Sequence, residues 1–336
     1  MNFLSILITS LVVFFLLHFG KFIFIPLFFS LFFYVILNSI SEEIINISNK
    51  INIKINEFSS SFILFSIFIF FVYFFFKVLK TNITEVIENI DLYQNNLNKL
   101  LLYFSNTPIN NLFNESIILE SFNLINIFTY LLNMVTGFAG NFSMIIFLLI
   151  FLVIEKKFLK LKINKVIKNK TKLKVFSNIN NDIYNYFRIK AFTSFLTGVL
   201  TFIILFLFDS DLDIAFGILS FFLNFIPYVG SLISILLPIV FSIVENFNFM
   251  YSIIIFVLLF ISHLLIGNLL ENKLMGKALN ISPIALLIFL SIMGKLWGIS
   301  GMFLGVPIIV VLVIILNNFK QTKNIAILLS EKGNLK

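Results

Sequence analysis

Long apolar runs punctuate the chain from its start. Residues 3–19, 22–40 and 59–79 each come close to the roughly 20 apolar residues that a helix needs to cross a bilayer, and Gly20-Lys21 joins the first two tightly. Between 82 and 105 the pattern changes. Ile83, Val86, Ile87, Ile90, Leu97, Leu100, Leu101 and Phe104 recur at helical spacing among Asn, Glu and Asp, which predicts an amphipathic helix. Pro108 ends it, and a second helical pattern runs to about residue 135. Apolar character returns over 138–155, and a periodic pattern through Leu173, Phe176, Ile179, Ile183 and Phe187 leads into a further span over 191–208.

Beyond residue 213 the apolar segments are interrupted: four of the chain's 6 prolines and nine of its 13 glycines fall there. Lipid cannot hydrogen-bond a broken backbone, so such interruptions persist at membrane depth only where protein or a water-filled cavity covers the freed groups. Segments 214–226 and 229–244 are each short for a crossing and hinge at Pro227, which predicts a hairpin that enters and leaves on one side. The run 250–270 reads as a full crossing, and 283–316, broken by its glycines, as a second hairpin entering from the opposite face, the alternative being a full crossing over 299–316 that would put the tail outside. The expected fold is an all-α integral membrane protein of about eight membrane segments, including two Pro/Gly-broken re-entrant hairpins, with an amphipathic helical extramembrane region. The expected divisions are N-terminal spans over 1–80, amphipathic extracytoplasmic helices over 81–137, a span over 138–155, a basic cytoplasmic helical region over 156–190, a transport core over 191–318 and a cytoplasmic tail over 319–336.

Composition reinforces the membrane reading. Hydrophobic residues make up 60% of the chain and charged residues 12%, about half the roughly 25% of a soluble domain. The 47 Phe accompany abundant Ile, Asn and Lys, a bias of composition rather than a demand for aromatic chemistry. With no Cys and 2 His, thiolate chemistry and a zinc or haem site are not expected, and no cofactor is implied. The N-terminal run lacks a basic leader and a small-residue cleavage site, so it reads as an anchor rather than a signal peptide.

Charge adds a topology. Residues 155–190 hold ten Lys and one Arg against Glu155 and Asp182, whereas 81–140 hold Lys99 against Glu85, Glu88, Asp91, Glu115 and Glu120. Short basic loops stay in the cytoplasm. The basic block and the tail with Lys320, Lys323, Lys332 and Lys336 are therefore expected inside, the Asp209-Ser-Asp-Leu-Asp213 cluster outside, and both termini cytoplasmic. The block at 156–174 is read as a topology signal and a contact for anionic lipid, not a nucleic-acid surface.

The candidate transport residues sit at the interruptions. In Asn224-Phe-Ile-Pro-Tyr-Val-Gly-Ser231, Asn224, Pro227, Gly230 and Ser231 either line a pathway for a polar solute or simply make a turn and cap a helix. Asn268 and Glu271 lie in Gly267-Asn-Leu-Leu-Glu271. Glu271 is either a site for a coupling proton or sodium ion, or an interfacial carboxylate paired with Lys273 or Lys277. Gly294, Gly298, Gly301 and Gly305 are spaced for close helix packing or for a glycine-lined path toward Pro307. His263 reads as a hydrogen-bonded helix packer, and the Asp209–Asp213 cluster as a solvated loop. No phosphate-binding loop, H-E-x-x-H or G-x-S-x-G occurs, so neither ATP hydrolysis by that route nor intramembrane hydrolysis is expected.

Asn224-Phe-Ile-Pro-Tyr-Val-Gly-Ser231, Gly267-Asn-Leu-Leu-Glu271 with Leu274-Met-Gly-Lys277, Ser282-Pro283, and Leu296-Trp-Gly-Ile-Ser-Gly-Met302 with Val306-Pro307 together resemble the autoinducer-2 exporter family of permeases, most strongly over 190–330. One departure is Asn272, where the family usually has Pro. The resemblance implies a non-enzymatic, multi-pass permease of the bacterial inner membrane, able to form a homo-oligomer, that exports a small polar solute such as autoinducer-2. A sodium/proton antiporter and a non-transporting membrane scaffold are the alternatives.

Overall fold

A computed structural model describes residues 12, 15–52, 56–105, 129, 142–155, 158, 162, 165, 170–275, 281–318, 321–331 and 333. The helical pattern expected over 108–135, most of the first apolar run and most of the basic block lie outside them. The described residues form helices α1 (Lys21–Lys50), α2 (Glu57–Glu88), α3 (Ile90–Ser105), α4 (Phe142–Glu155), α5 (Lys170–Leu207), α6 (Asp213–Leu223), α7 (Val229–Asn246), α8 (Phe249–His263), α9 (Asn272–Met275), α10 (Pro283–Asn318) and α11 (Lys323–Leu329), with a π-helix, Leu264–Glu271, between α8 and α9. No strand occurs among them. Six helical segments are long and apolar enough to cross a membrane: Lys21–Lys50, Ser59–Glu88, Tyr184–Leu207, Val229–Asn246, Phe249–Glu271 and Pro283–Asn317. Phe142–Glu155 and Asp213–Leu223 are shorter apolar helices. Outward faces such as Phe62, Ile63, Phe70 and Phe74 on α2 are exposed, as lipid-facing positions would be.

Two elements run past their expected limits. The third span and the amphipathic helix are not separated near residue 80: α2 continues to Glu88, and the break falls at Asn89. The periodic segment before 190 and the span after it are one helix, α5.

The chain divides into two compact units, one of residues 1–68, 141–189 and 274–336, the other of 69–140 and 190–273. The first is packed by aromatic rings. Phe32 lies 4.4 Å from Phe187 and 5.4 Å from Phe303, while Phe33 lies 4.8 Å from Phe68, each distance between ring centroids. Polar ties join its helices as well: Ser41 donates to Ser60 across α1 and α2 at 3.0 Å, and Arg188 donates to Glu43 at 2.8 Å.

The second unit has a larger aliphatic core. Ile83, Val86, Ile90, Tyr93 and Leu100 from α2 and α3 pack with Phe216, Ile235, Phe241, Val244, Ile255 and Leu259 from α6, α7 and α8. Of the stripe read as amphipathic from the sequence, Ile83 and Val86 at the end of α2 and Ile90 and Leu100 on α3 are buried here, with Tyr93 an additional member.

Candidate functional site

Helices α6 and α7 form the first hairpin, and its turn stores strain. Tyr228 takes φ 62° and ψ −58°, and the Val229 N–H donates to the Pro227 carbonyl at 2.7 Å, closing a γ-turn of the strained, positive-φ kind. Gly230 follows because nothing larger fits: a Cβ there would lie 1.7 Å from the Leu223 carbonyl oxygen. Asn224 does not cap outward into solvent. It is buried, and its side-chain amide donates to Ser194 on α5 at 3.0 Å. Asn224, Pro227, Gly230 and Ser231 are therefore brought together at one turn, with Ser231 held by a bond to the Tyr228 carbonyl.

Ser194 belongs to a stripe that sequence reading did not single out. Lys190, Thr193, Ser194, Thr197 and Thr201 recur at helical spacing on α5, each at most 5% exposed. Gly198, within the stripe, meets Gly217 of α6 so closely that a Cβ would stand 2.7 Å from the Gly217 carbonyl oxygen. Thr197 donates to the Thr193 carbonyl at 2.9 Å, but the buried hydroxyls of Thr201 and of Ser220 on α6 have no hydrogen-bond partner. Buried hydroxyls are ordinarily satisfied, so these two stand out among the buried polar groups of α5 and α6. The legible signal was a run of Thr and Ser at 193, 194, 197 and 201 inside an otherwise apolar helix.

At the start of the stripe Lys190 reaches the π-helix. Its Nζ donates to both oxygens of Glu271, at 2.7 and 2.9 Å, and the Thr193 hydroxyl adds a bond at 3.2 Å. The side chains are 6% and 14% exposed, so this is a buried pair. Glu271 is paired with Lys190, then, while Lys273 is exposed and Lys277 lies outside the described residues. The partner lies 81 residues away, and only the fold brings it close. Asn268, three residues earlier, is exposed. At Asn272, where the family usually has Pro, the π-helix gives way to the short helix α9.

The second hairpin lies in the other unit. Helix α10 is two limbs reversing at Gly298, whose φ of 64° and ψ of −145° suit glycine alone. Gly294, Gly301 and Gly305 face across the reversal: a Cβ on Gly301 would lie 2.1 Å from the Met293 carbonyl oxygen, and one on Gly305 would lie 2.8 Å from Leu290. The glycines serve close packing between limbs, not one face of a continuous helix. Pro307 lies farther along the second limb, nine residues or about 14 Å past the turn.

The acidic cluster after α5 is more than a solvated loop. Tyr93 donates to Asp211, the Asp211 N–H donates to a Glu245 carboxylate oxygen at 2.6 Å, and Asn96 donates to the Glu245 carbonyl at 3.3 Å. Burial, and then the bond to the Asp211 carboxylate, push the Tyr93 phenol well above its ordinary range, so the proton stays on Tyr93. His263 is the helix packer expected of it, sharing a hydrogen bond with Ser234 at 2.7 Å and another with the Leu259 carbonyl at 3.0 Å. No group of three or more acidic or His side chains able to hold a metal exists among the described residues.

Apolar spans, two helical hairpins broken by glycine or proline, and a buried polar stripe define a multi-pass membrane permease. The AI-2E family transporter model matches residues 4–321, and the chain belongs to that family. Among its relatives, a Borreliella burgdorferi protein named "Putative transport protein" is 34% identical over 82% of this chain and 77% of its own length. A Haemophilus influenzae protein of the same name is 30% identical over 60% and 59%. The AI-2 transport protein TqsA of Escherichia coli is 28% identical over 60% of each chain.

Proposed function

We propose that this permease exports a small, neutral, polyhydroxylated solute of the autoinducer-2 kind. The observation that carries the reading is the set of buried polar groups on α5 and the facing hairpin, where the Thr201 and Ser220 hydroxyls have no partner and Ser194 is bonded to the Asn224 amide. A polyol is matched by such donors and acceptors and asks for no countercharge. The relative from Escherichia coli is named for AI-2 transport, which supports the same class. An antiporter would need a carboxylate free to exchange its ion, and both Glu271 oxygens are engaged by Lys190. No enzymatic activity is part of this reading.

Uptake of labelled autoinducer-2 into proteoliposomes tests it. Saturable flux is expected in the wild type. It should fall about tenfold in Asn224→Leu, since leaving Ser194 without its amide partner costs on the order of 1–3 kcal/mol. Wild-type vesicles no leakier to the solute than empty ones would reject the reading.

The proposed setting is the bacterial inner membrane, with 156–190 and both termini cytoplasmic, anionic lipid against the basic block, and self-association compatible with the exposed apolar faces. The concentration of Lys after Glu155 supports that orientation. Reporter tags after residue 165 and at the C-terminus should read as cytoplasmic and one near residue 110 as external. A tail labelled from outside would reverse the assignment of the second hairpin.

A further inference from the structure

Ionisable groups inside a membrane segment are costly, and they persist where they handle charge. Lys190 stands within the apolar segment Tyr184–Leu207, and Glu271 ends the apolar segment Phe249–Glu271. The ammonium sits between the two carboxylate oxygens, 2.7 and 2.9 Å away. Around it the Thr193 hydroxyl bridges the Lys190 carbonyl at 3.1 Å and Glu271 at 3.2 Å. Carboxylate, hydroxyl and backbone carbonyl are the oxygen donors that a hard monovalent cation takes. The carboxylate of this set already holds a cation, carried on a side chain.

We propose that Glu271, Thr193 and the Lys190 carbonyl form a monovalent-cation site whose occupant is the chain's own Lys190 ammonium. A free ion is then shut out, and transport runs without a bound coupling cation. Lys190 is a specificity-determining residue for coupling: it decides that no sodium or potassium is carried. The proposal rests on the permease reading of the same site for its meaning in transport. Its binding test requires no flux, however, so the two readings can fail separately.

The test is thermal unfolding of the purified full-length protein in detergent, at constant ionic strength, in sodium, ammonium, methylammonium or choline chloride. The wild type should melt at one temperature in all four salts. Lys190→Ala removes the tethered ammonium and opens its place. This variant should melt lower in choline and gain roughly 2–4 °C, saturably, in at least one of the small cations, as a ligand that binds the folded state at about ten times its Kd would produce. Lys190→Ala/Glu271→Gln should lose that gain. A salt bridge with only a structural role predicts the lower melting temperature without any cation-specific recovery. Absence of recovery in Lys190→Ala therefore overturns the proposal, as does a gain that persists in the double variant. If Lys190→Ala does not fold in any of the salts, Lys190→Ser is measured in the same way and the same outcomes decide; stabilisation of the wild type by sodium over choline overturns the proposal in either case.

Discussion

Glu271→Gln is expected to be one of the most damaging single changes in the protein, lowering its stability by roughly 3–5 kcal/mol. The cost does not measure how much the ion pair contributes. It arises because Lys190, 6% exposed, would be left as a buried cation with a neutral amide for a partner. Removing both charges is a different experiment. Lys190→Met with Glu271→Leu fills the same volume with apolar atoms, and the double variant should recover most of the loss, since buried pairs repay their desolvation only in part. Detergent melting curves of the two singles and the double give the cycle. Singles that melt like the wild type would mean that water reaches the pair freely.

Gly230→Val and Gly301→Val are expected to abolish solute flux and to reduce the amount of folded protein recovered. At Gly230 the first added carbon would stand 1.7 Å from the Leu223 carbonyl oxygen, and at Gly301 it would stand 2.1 Å from that of Met293. Both obstacles are backbone, so no rotamer change relieves them, and the limbs of each hairpin must part. Gly267 is the control. A Cβ there meets nothing within 4 Å, and Gly267→Ala should leave both recovery and flux near the wild-type level. Flux retained by both Val variants would show that the hairpins need not be closed during transport.

The features that the sequence announced are those written locally. Unlike the ends of α2 and α5, the presence of the apolar spans, the Pro227 turn and the Gly298 reversal follow from apolar runs broken by residues with particular backbone demands. So does the buried face of α3, because helical periodicity survives in a linear reading. What could not be read were partnerships across distance. Glu271 had two lysines within six residues, and nothing in the linear chain favoured Lys190. Asp211 looked solvated because its tie to Tyr93 spans 118 residues. The stripe on α5 was overlooked for another reason. Thr and Ser in a membrane helix often bond back to their own turn, as Thr197 does, and only the fold distinguishes those hydroxyls from unsatisfied ones.

The π-helix at Leu264–Glu271 gives this segment a sensitivity to length that its composition conceals. A wider turn accommodates surplus residues, and each residue gained or lost turns everything beyond it by about 100° around the helix axis. Shortening the stretch between His263 and Glu271 by one residue would be absorbed only if its wide turns relax to α-helical ones; where they cannot, the apolar side chains stay in lipid-compatible surroundings while the carboxylate swings away from Lys190. Among homologous permeases, the number of residues in this interval therefore bears on charge pairing as strongly as the identity of the acidic residue itself. Two proteins with the same Glu and the same Lys, differing by a single deletion here, would be electrostatically different machines.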